Sequence, residues 1–535
     1  MENGDRVLNI ASYLPEMAKR IPFKRAIVFP HSRDSKDRVS YTHLTYKQLN
    51  QESDLYAYGL TKMGIKQGSR VVLMVRPGLE FIGLTFALFK IGAIPVLIDP
   101  GIGKSSLVKC IKEVEPEAFI GVSLAHALRI FYGRYFKGIK YYVTIGRRWF
   151  WGGATLDRIR EKEWKEFPVA GMKDNDPAAI LFTTGSTGPP KGVVYRHKMF
   201  DAQVTYLKNY YNTKDYEVDM PTFPLFALFS ICLGMTCIIP DMNPTRPALA
   251  DPLKIIEAIN NQGVTNIFGS PALFHGLSLF CIKNNIKLPS IKRILIAGAP
   301  VSGTIISKLK QIIEKDADVH TPYGATEALP LTSINGTEIL YGTLDKTLKG
   351  AGICVGKPFP DITLKIIKIY DGIIPEWNED LTLPEGKIGE IAAKGSVVTE
   401  EYYKKEKLTA LAKIYDGDAV WHRMGDVGYM DALNRIWFCG RKSHLVITKN
   451  KILFPVCCEA IFNQHKDVYR SALVGVGPRP EQRPVIIIEP EKGKMPGGKK
   501  KETRFKNELL SLGSKNPLTA GVKDVLFHPS FPVDI

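Results

Sequence analysis

Between Arg70 and Thr144 this chain alternates short uncharged runs with stretches of helical spacing. Arg70–Val75, Ile94–Ile98, Ala118–Gly121 and Tyr141–Thr144 are too short and too uniformly apolar for amphipathic helices, so they read as buried strands. Segments 80–91 and 104–114, lying between them, read as helices. A chain patterned this way is satisfied by an α/β fold, a mostly parallel sheet with helices on both faces. The rhythm returns further on, with helices 250–262, 271–284 and 302–315 around strands 264–268 and 292–296. No repeat of solenoid period interrupts it.

At 535 residues the chain exceeds one ordinary core and calls for at least two units. The N-terminal lead-in suggests a helix, a hairpin around Arg38 to Leu44, and a second helix holding Tyr46, Leu49 and Leu60. Past residue 350 the texture changes. Strand-like pieces at Ile362–Ile369, Gly389–Ala393 and Ile436–Cys439 are separated by Gly, Pro and Asp turns, which suggests a β-rich subdomain. Gly440-Arg441 opens a last segment, expected to hold a strand at Leu445–Thr448, a helix from about Pro455 and a strand at Ala472–Val476. The boundary is placed there, giving a large unit over 1–439 and a small α+β unit over 440–535.

The net charge of +18 favours anionic partners: nucleotides, acidic membrane surfaces or acidic proteins. The one dense basic cluster, Lys492 to Lys506, reads as a solvated loop, and nucleic acid is not expected as a partner. Peripheral contact with a membrane is compatible with the charge. Eight scattered cysteines include no C-x-x-C pair, so neither a zinc site nor a disulfide framework is legible, and reduced thiols in the cytoplasm fit best. The polar N-terminus is not a signal peptide. Met220 to Pro240 carries no charge, but Pro221 and Pro224 break it early; it reads as a buried strand and helix, not a transmembrane segment.

The chemistry begins at Ala178–Val194, AAILFTTGSTGPPKGVV. A buried strand runs into Thr183, Thr184, Gly185, Ser186, Thr187 and Gly188, then two prolines and Lys191. Small residues let the backbone approach a ligand, and successive N–H groups form an anion-binding concavity. Four hydroxyls add donors, and Lys191 supplies a point charge for phosphate oxygens. The Walker loop is excluded, because Pro190 precedes the lysine and Gly192 follows it. The stretch resembles the phosphate-binding signature of the adenylate-forming superfamily: acyl-CoA synthetases, peptide-synthetase adenylation domains and luciferases.

Later motifs follow in that superfamily's order. Ile294–Pro300 is a strand closed by a tight turn, and the resemblance puts Gly298, Ala299 and Pro300 against adenine. In Tyr323-Gly324-Ala325-Thr326-Glu327 an aromatic face can stack on a base, a hydroxyl can reach a phosphate and a carboxylate can hold Mg2+. The resemblance assigns Tyr323, Thr326 and Glu327 to adenine, the α-phosphate and the metal in that order. Lys191, Thr326 and Glu327 are thus its catalytic residues, with ATP and Mg2+ as cofactors. Asp426, in Arg423-Met-Gly-Asp426, has a carboxylate able to accept both ribose hydroxyls, and Arg441 is the ribose-contacting arginine of the hinge block. At the hinge position itself the family's Asp or Lys is replaced by Ser443.

Two further departures touch coenzyme A. Pro224-Leu-Phe is followed by Ala227 where many acyl-CoA synthetases have histidine, and Lys449–Pro455 lacks the glycines of the loop that approaches the thiol. From about residue 8 to the end, stretches such as TIGRRWFWGG, IPDMNPTRPALADP, HRMGDVGYMD and FHPSFPVDI are similar to the bacterial olefin β-lactone synthetases. That branch activates a long-chain 2-alkyl-3-hydroxyalkanoate with ATP and closes a β-lactone, accompanied by a reductase and a hydrolase of olefin biosynthesis. In it, FPVDI precedes an R-H-N-x-K stretch with the adenylation lysine; the sequence stops at Ile535, so that lysine is expected beyond it. Three readings stay open: β-lactone synthetase, long-chain fatty acyl-CoA or acyl-AMP ligase, and an inactive nucleotide-binding scaffold.

Overall fold

Two sheets carry the large part of the chain in the computed structural model, which describes residues 8–183 and 189–532, with the backbone alone of Pro100 and Thr183. The first has seven strands in the spatial order Ala154–Thr155, Tyr141–Ile145, Ala118–Val122, Arg70–Met74, Ile94–Ile98, Pro177–Thr183, Lys191–Arg196. All neighbours are parallel except the last two, which form an antiparallel hairpin pairing Thr183 with Lys191. The four strands read from Arg70–Thr144 are all present, because each is covered on both faces and needs no polar alternation. Helix Leu79–Ile91 is buried nearly all round, and its one lysine shows how. Lys90 Nζ reaches Asp54 Oδ1 at 2.6 Å and Asn50 Oδ1 at 2.8 Å, both on helix Tyr46–Met63. The ion pair clamps two helices that otherwise meet through apolar side chains.

The second sheet runs Val39–Thr45, Arg25–Arg33, Thr236–Ile238, Val218–Pro221, Asn266–Gly269, Arg293–Ile296, Asp318–Ala325. From Arg25–Arg33 to Asp318–Ala325 it is parallel. Ala328–Asn335 then turns back antiparallel, and the ladder continues through Ile353–Pro358, Ile436–Arg441, Ala419–Met430, Gly389–Lys394 and Thr363–Ile367. The β-rich stretch predicted after residue 350 is therefore present but continuous with this sheet. Met220–Pro240 holds the expected strand end and a buried helix, Ala227–Cys232, and adds the short strand Thr236–Ile238. Among the described residues no helix is long and apolar enough to cross a membrane.

After Arg441 the chain forms a hairpin of Val446–Ile447 with Ile452–Leu453, helix Pro455–Phe462, and a sheet of Val468–Val476, Arg483–Pro490 and Asp524–Phe527. Phe462, Leu473, Ile486, Leu509 and Val525 belong to a core of its own. The reading of Lys492 to Lys506 as a loop needs correction, since helix Lys499–Ser514 takes in its second half. Phe505, Leu509 and Gly513 recur at helical spacing on the buried face while the lysines stay in water, a pattern the density of charge obscured. All eight cysteines are buried, and none forms a disulfide.

Candidate active site

The carboxyl ends of the second sheet's parallel strands open into a cavity of about 3520 Å3, where ligands of open α/β sheets bind. Gly298, Ala299 and Pro300 line it just past strand Arg293–Ile296. Gly298 holds a left-handed φ of 94°, and a Cβ there would meet nothing within 4 Å, so the bare backbone faces open space. Tyr323, Gly324, Ala325, Thr326 and Glu327 follow at the end of the neighbouring strand and line the same space. Gly324 is tight by contrast: a Cβ would come within 2.6 Å of the Ala328 carbonyl.

Asp426 and Arg441 reach this cavity from antiparallel strands, where they are register partners. Arg441 NH1 lies 2.8 Å from Asp426 Oδ1, and Tyr323 donates its hydroxyl to Oδ2 at 2.7 Å. Burial pushes the Asp426 carboxyl above its ordinary range, with Arg441 and the Tyr323 hydroxyl opposing that rise. Burial and the Asp426 charge together drive the Tyr323 phenol well up, so it stays a hydrogen-bond donor. Each carboxylate oxygen has a second lone pair for a sugar hydroxyl.

Glu327 is placed by residues that sequence reasoning missed. Tyr402 donates its hydroxyl to Glu327 Oε1 at 2.7 Å. Thr399 donates both its N–H and its hydroxyl to the Glu327 carbonyl, each at 2.9 Å. Lys413, fully enclosed, donates its ammonium to the Thr399 carbonyl and lies 3.2 Å from the Thr399 hydroxyl. Burial pushes Lys413 down to about 7, while Glu327 and Glu400 favour its charge. Lys191 Nζ stands 4.9 Å from the centre of the Tyr402 ring, which brings the phosphate-loop lysine and the expected metal carboxylate onto one tyrosine. Tyr195 ties the Thr326 carbonyl at 2.6 Å. His422 also lines the cavity; burial holds it neutral, and its Nδ1 has no hydrogen-bond partner among the described residues. Tyr402 stands within a run of charged residues and His422 directly before the Arg423–Asp426 block, yet residue type alone singles out none of Thr399, Tyr402, Lys413 or His422; their positions in space do.

Other expected positions fall differently. Thr184, Gly185, Ser186, Thr187 and Gly188 lie outside the described residues, as does the side chain of Thr183. Ser443 sits in a 3-10 turn at the cavity's edge, its carbonyl held by Arg479 at 2.9 Å. Beside it Lys442 reaches Glu390 at 3.2 Å, the carboxylate that Arg423 also grips at 2.7 Å. The region of Lys449–Pro455 forms the turn and second strand of the Val446–Leu453 hairpin and the start of a helix. Among the described residues no group of three His, Cys, Asp or Glu side chains could cage a metal. One carboxylate near Lys191, that of Glu327, suits Mg2+, which keeps most of its shell in water and phosphate oxygens.

The family model of AMP-binding enzymes matches residues 14–403. The chain belongs to that family. It is 44% identical over 98% of its length to the olefin β-lactone synthetase of Xanthomonas campestris pv. campestris, covering 94% of that protein. It is 43% identical over 99% of its length to the olefin β-lactone synthetase of Stenotrophomonas maltophilia, covering 96% of it. Its fold matches the crystal structure of the anthranilate CoA ligase AuaEII in complex with anthranoyl-AMP, with a TM-score of 0.80 at 18% identity, over all of this chain and 96% of the other. The cavity of this AMP-binding enzyme also has a wall suited to hydrocarbon. Phe226 stacks on Phe268 at 4.2 Å between ring centres and meets Phe229 at 5.7 Å, with Leu233 and Met235 alongside.

Proposed function

We propose that this enzyme activates a long-chain 2-alkyl-3-hydroxy acid with ATP and closes it to a β-lactone. One observation carries the reading: Lys191, Tyr323, Thr326, Glu327, Asp426 and Arg441 share one cavity, in a chain 44% identical throughout to a named olefin β-lactone synthetase. The carboxylate oxygen attacks the α-phosphorus; the bond to the bridging oxygen breaks and pyrophosphate leaves. Lys191 holds the β- and γ-phosphates, Thr326 the α-phosphate, Asp426 and Arg441 the ribose, and Tyr323 with Gly298–Pro300 the base. Glu327 would hold Mg2+, which would supply charge neutralisation at the phosphates. The chain's own part is positioning and fixed donors aimed at developing charge.

The second step needs no added acceptor. The substrate's 3-hydroxyl oxygen attacks the acyl carbon, the bond from that carbon to the AMP oxygen breaks, and the hydroxyl proton passes to solvent. The apolar wall of Phe226, Phe229 and Phe268 takes the alkyl arms. Ala227 and the glycine-poor Lys449–Pro455 favour this reading over thioester formation. We place the small unit at 440–535, with Ser443 at its hinge, and the enzyme in the cytoplasm, which cysteines without disulfides fit. The reductase and hydrolase of olefin biosynthesis are its proposed partners.

The test is acceptor dependence. Given ATP, Mg2+ and a 2-alkyl-3-hydroxy acid, the purified protein releases AMP and a neutral lactone without CoA. The same acid lacking the hydroxyl stalls as bound acyl-adenylate. Strict dependence on CoA, with thioester as the sole product, would transfer the site to the ligase reading.

A further inference from the structure

From Ala118 to Leu156 the chain contains no Asp or Glu, yet it holds Arg129, Arg134, Lys137, Lys140, Arg147 and Arg148. All but Arg129 are exposed. The same stretch carries the densest group of exposed large apolar side chains in the described residues. Leu124 and Phe131 on helix Ser123–Phe131 are 74% and 82% exposed, and Phe150 in the following loop is 81% exposed, with Ile130 and Trp149 beside them. Leaving so much hydrocarbon in water is costly, at about 25 cal/mol per Å2, unless something covers it.

These residues form one face. Ser123 donates its hydroxyl to the Arg147 carbonyl at 2.6 Å, and Arg129 bonds the Trp151 carbonyl. Trp151 stacks on His126 of the helix at 5.7 Å, and Trp149 and Phe150 lean on Trp151 at 5.1 and 5.9 Å. The loop is therefore anchored to the helix through its one buried tryptophan while its neighbours project outward. Leu124, Leu128 and Phe131 also line the cavity that holds Lys191 and Tyr323. Exposed apolar and aromatic side chains next to Arg147 and Arg148, in a stretch of chain without a carboxylate, are the composition of a bilayer-surface contact.

We propose that helix Ser123–Phe131 and the loop Arg147–Trp151 dock this protein on anionic lipid bilayers. Trp149, Phe150 and Phe131 enter the headgroup region, and the arginines and lysines meet lipid phosphates. Charge complementarity chooses this occupant over a second copy of the chain, whose matching face would bring the same cations together. Docked in this way, the protein turns one rim of its cavity toward hydrocarbon. The inference rests on the surface and does not depend on which acid is activated.

Flotation of the full chain with vesicles tests it. Protein should float with vesicles of seven parts phosphatidylcholine to three parts phosphatidylglycerol, and stay down with pure phosphatidylcholine or in high salt. Each cation near the surface contributes about five-fold to partitioning, so Arg147→Gln with Arg148→Gln should lower binding about 25-fold. Trp149→Ser with Phe150→Ser should lower it at least as far. Both double variants lie outside the site and should keep pyrophosphate release with a water-soluble acid, which shows that they fold. Binding that survives both pairs, or is equal on neutral vesicles, would overturn the proposal. So would retention on polyuridylate with no flotation, which would assign the face to nucleic acid.

Discussion

Lys413→Met should change how the stability of this protein depends on pH, and the sign can be worked out. Lys413 is buried against Thr399, and its folded value is pushed down to about 7. In the unfolded chain a lysine titrates near about 10.4. Between those values the unfolded state binds more protons than the folded one, so stability rises with pH through that window. Below about 7 the full cost of keeping the buried lysine charged is present; above about 10 it is gone. From pH 7 to pH 9 the wild type should gain roughly 2 kcal/mol that a methionine variant, one atom shorter and without charge, does not. Urea unfolding of both proteins at pH 7, 8 and 9 measures the difference, because other titrating groups contribute equally to each. Parallel pH profiles would mean that Lys413 is solvated or paired, and that the Lys413–Thr399–Glu327 chain does not exist as described.

Lys191→Ala should slow pyrophosphate release roughly 100- to 1,000-fold, the usual cost of removing a donor that acts on transition-state charge; near-normal release from the purified variant would remove Lys191 from the phosphate site. Tyr402→Phe keeps the ring beside Lys191 and deletes the hydrogen bond to Glu327. A bond to a charged group is worth about 1.5–3 kcal/mol, so adenylate formation should fall at least about 10-fold at limiting Mg2+ with little change in the KM for ATP. An equal loss at every Mg2+ concentration would show that the hydroxyl does not act through Glu327.

Much of the architecture was legible because parallel strands buried on both faces leave an uninterrupted apolar signature. Ile94–Ile98 and 104–114 correspond to a strand and a helix with those same limits. That Gly298, Tyr323 and Asp426 line one cavity follows short motifs in which residue type is constrained locally, by a turn after a strand for Gly298 and by strand positions for Tyr323 and Asp426. What stayed hidden depends on distance along the chain. Tyr402 is 75 residues from the carboxylate it orients, and Lys413 reads as one more surface lysine until the fold closes over it. Helix Lys499–Ser514 was hidden in another way: three apolar contacts hold it against many charges, too sparse a stripe to stand out. The run Arg147–Trp151, by contrast, entered the sequence reading only through the family resemblance, because denser lysines lay elsewhere.

Arg441 has a second consequence. It closes a rung with Asp426 on the last strand of the large sheet, and two residues later the chain reaches Ser443 and the C-terminal segment. A reorientation of that segment that draws Arg441 away removes the cation that opposes the burial cost of Asp426. The carboxylate would then bind a proton more readily and a ribose less well. With Asp426 and Arg441 in the ribose role proposed above, nucleotide occupancy and the posture of the segment after Ser443 would be linked functions: whatever factor one exerts on the other must be returned in equal measure. A probe on the C-terminal sheet would thus report the affinity for nucleotide.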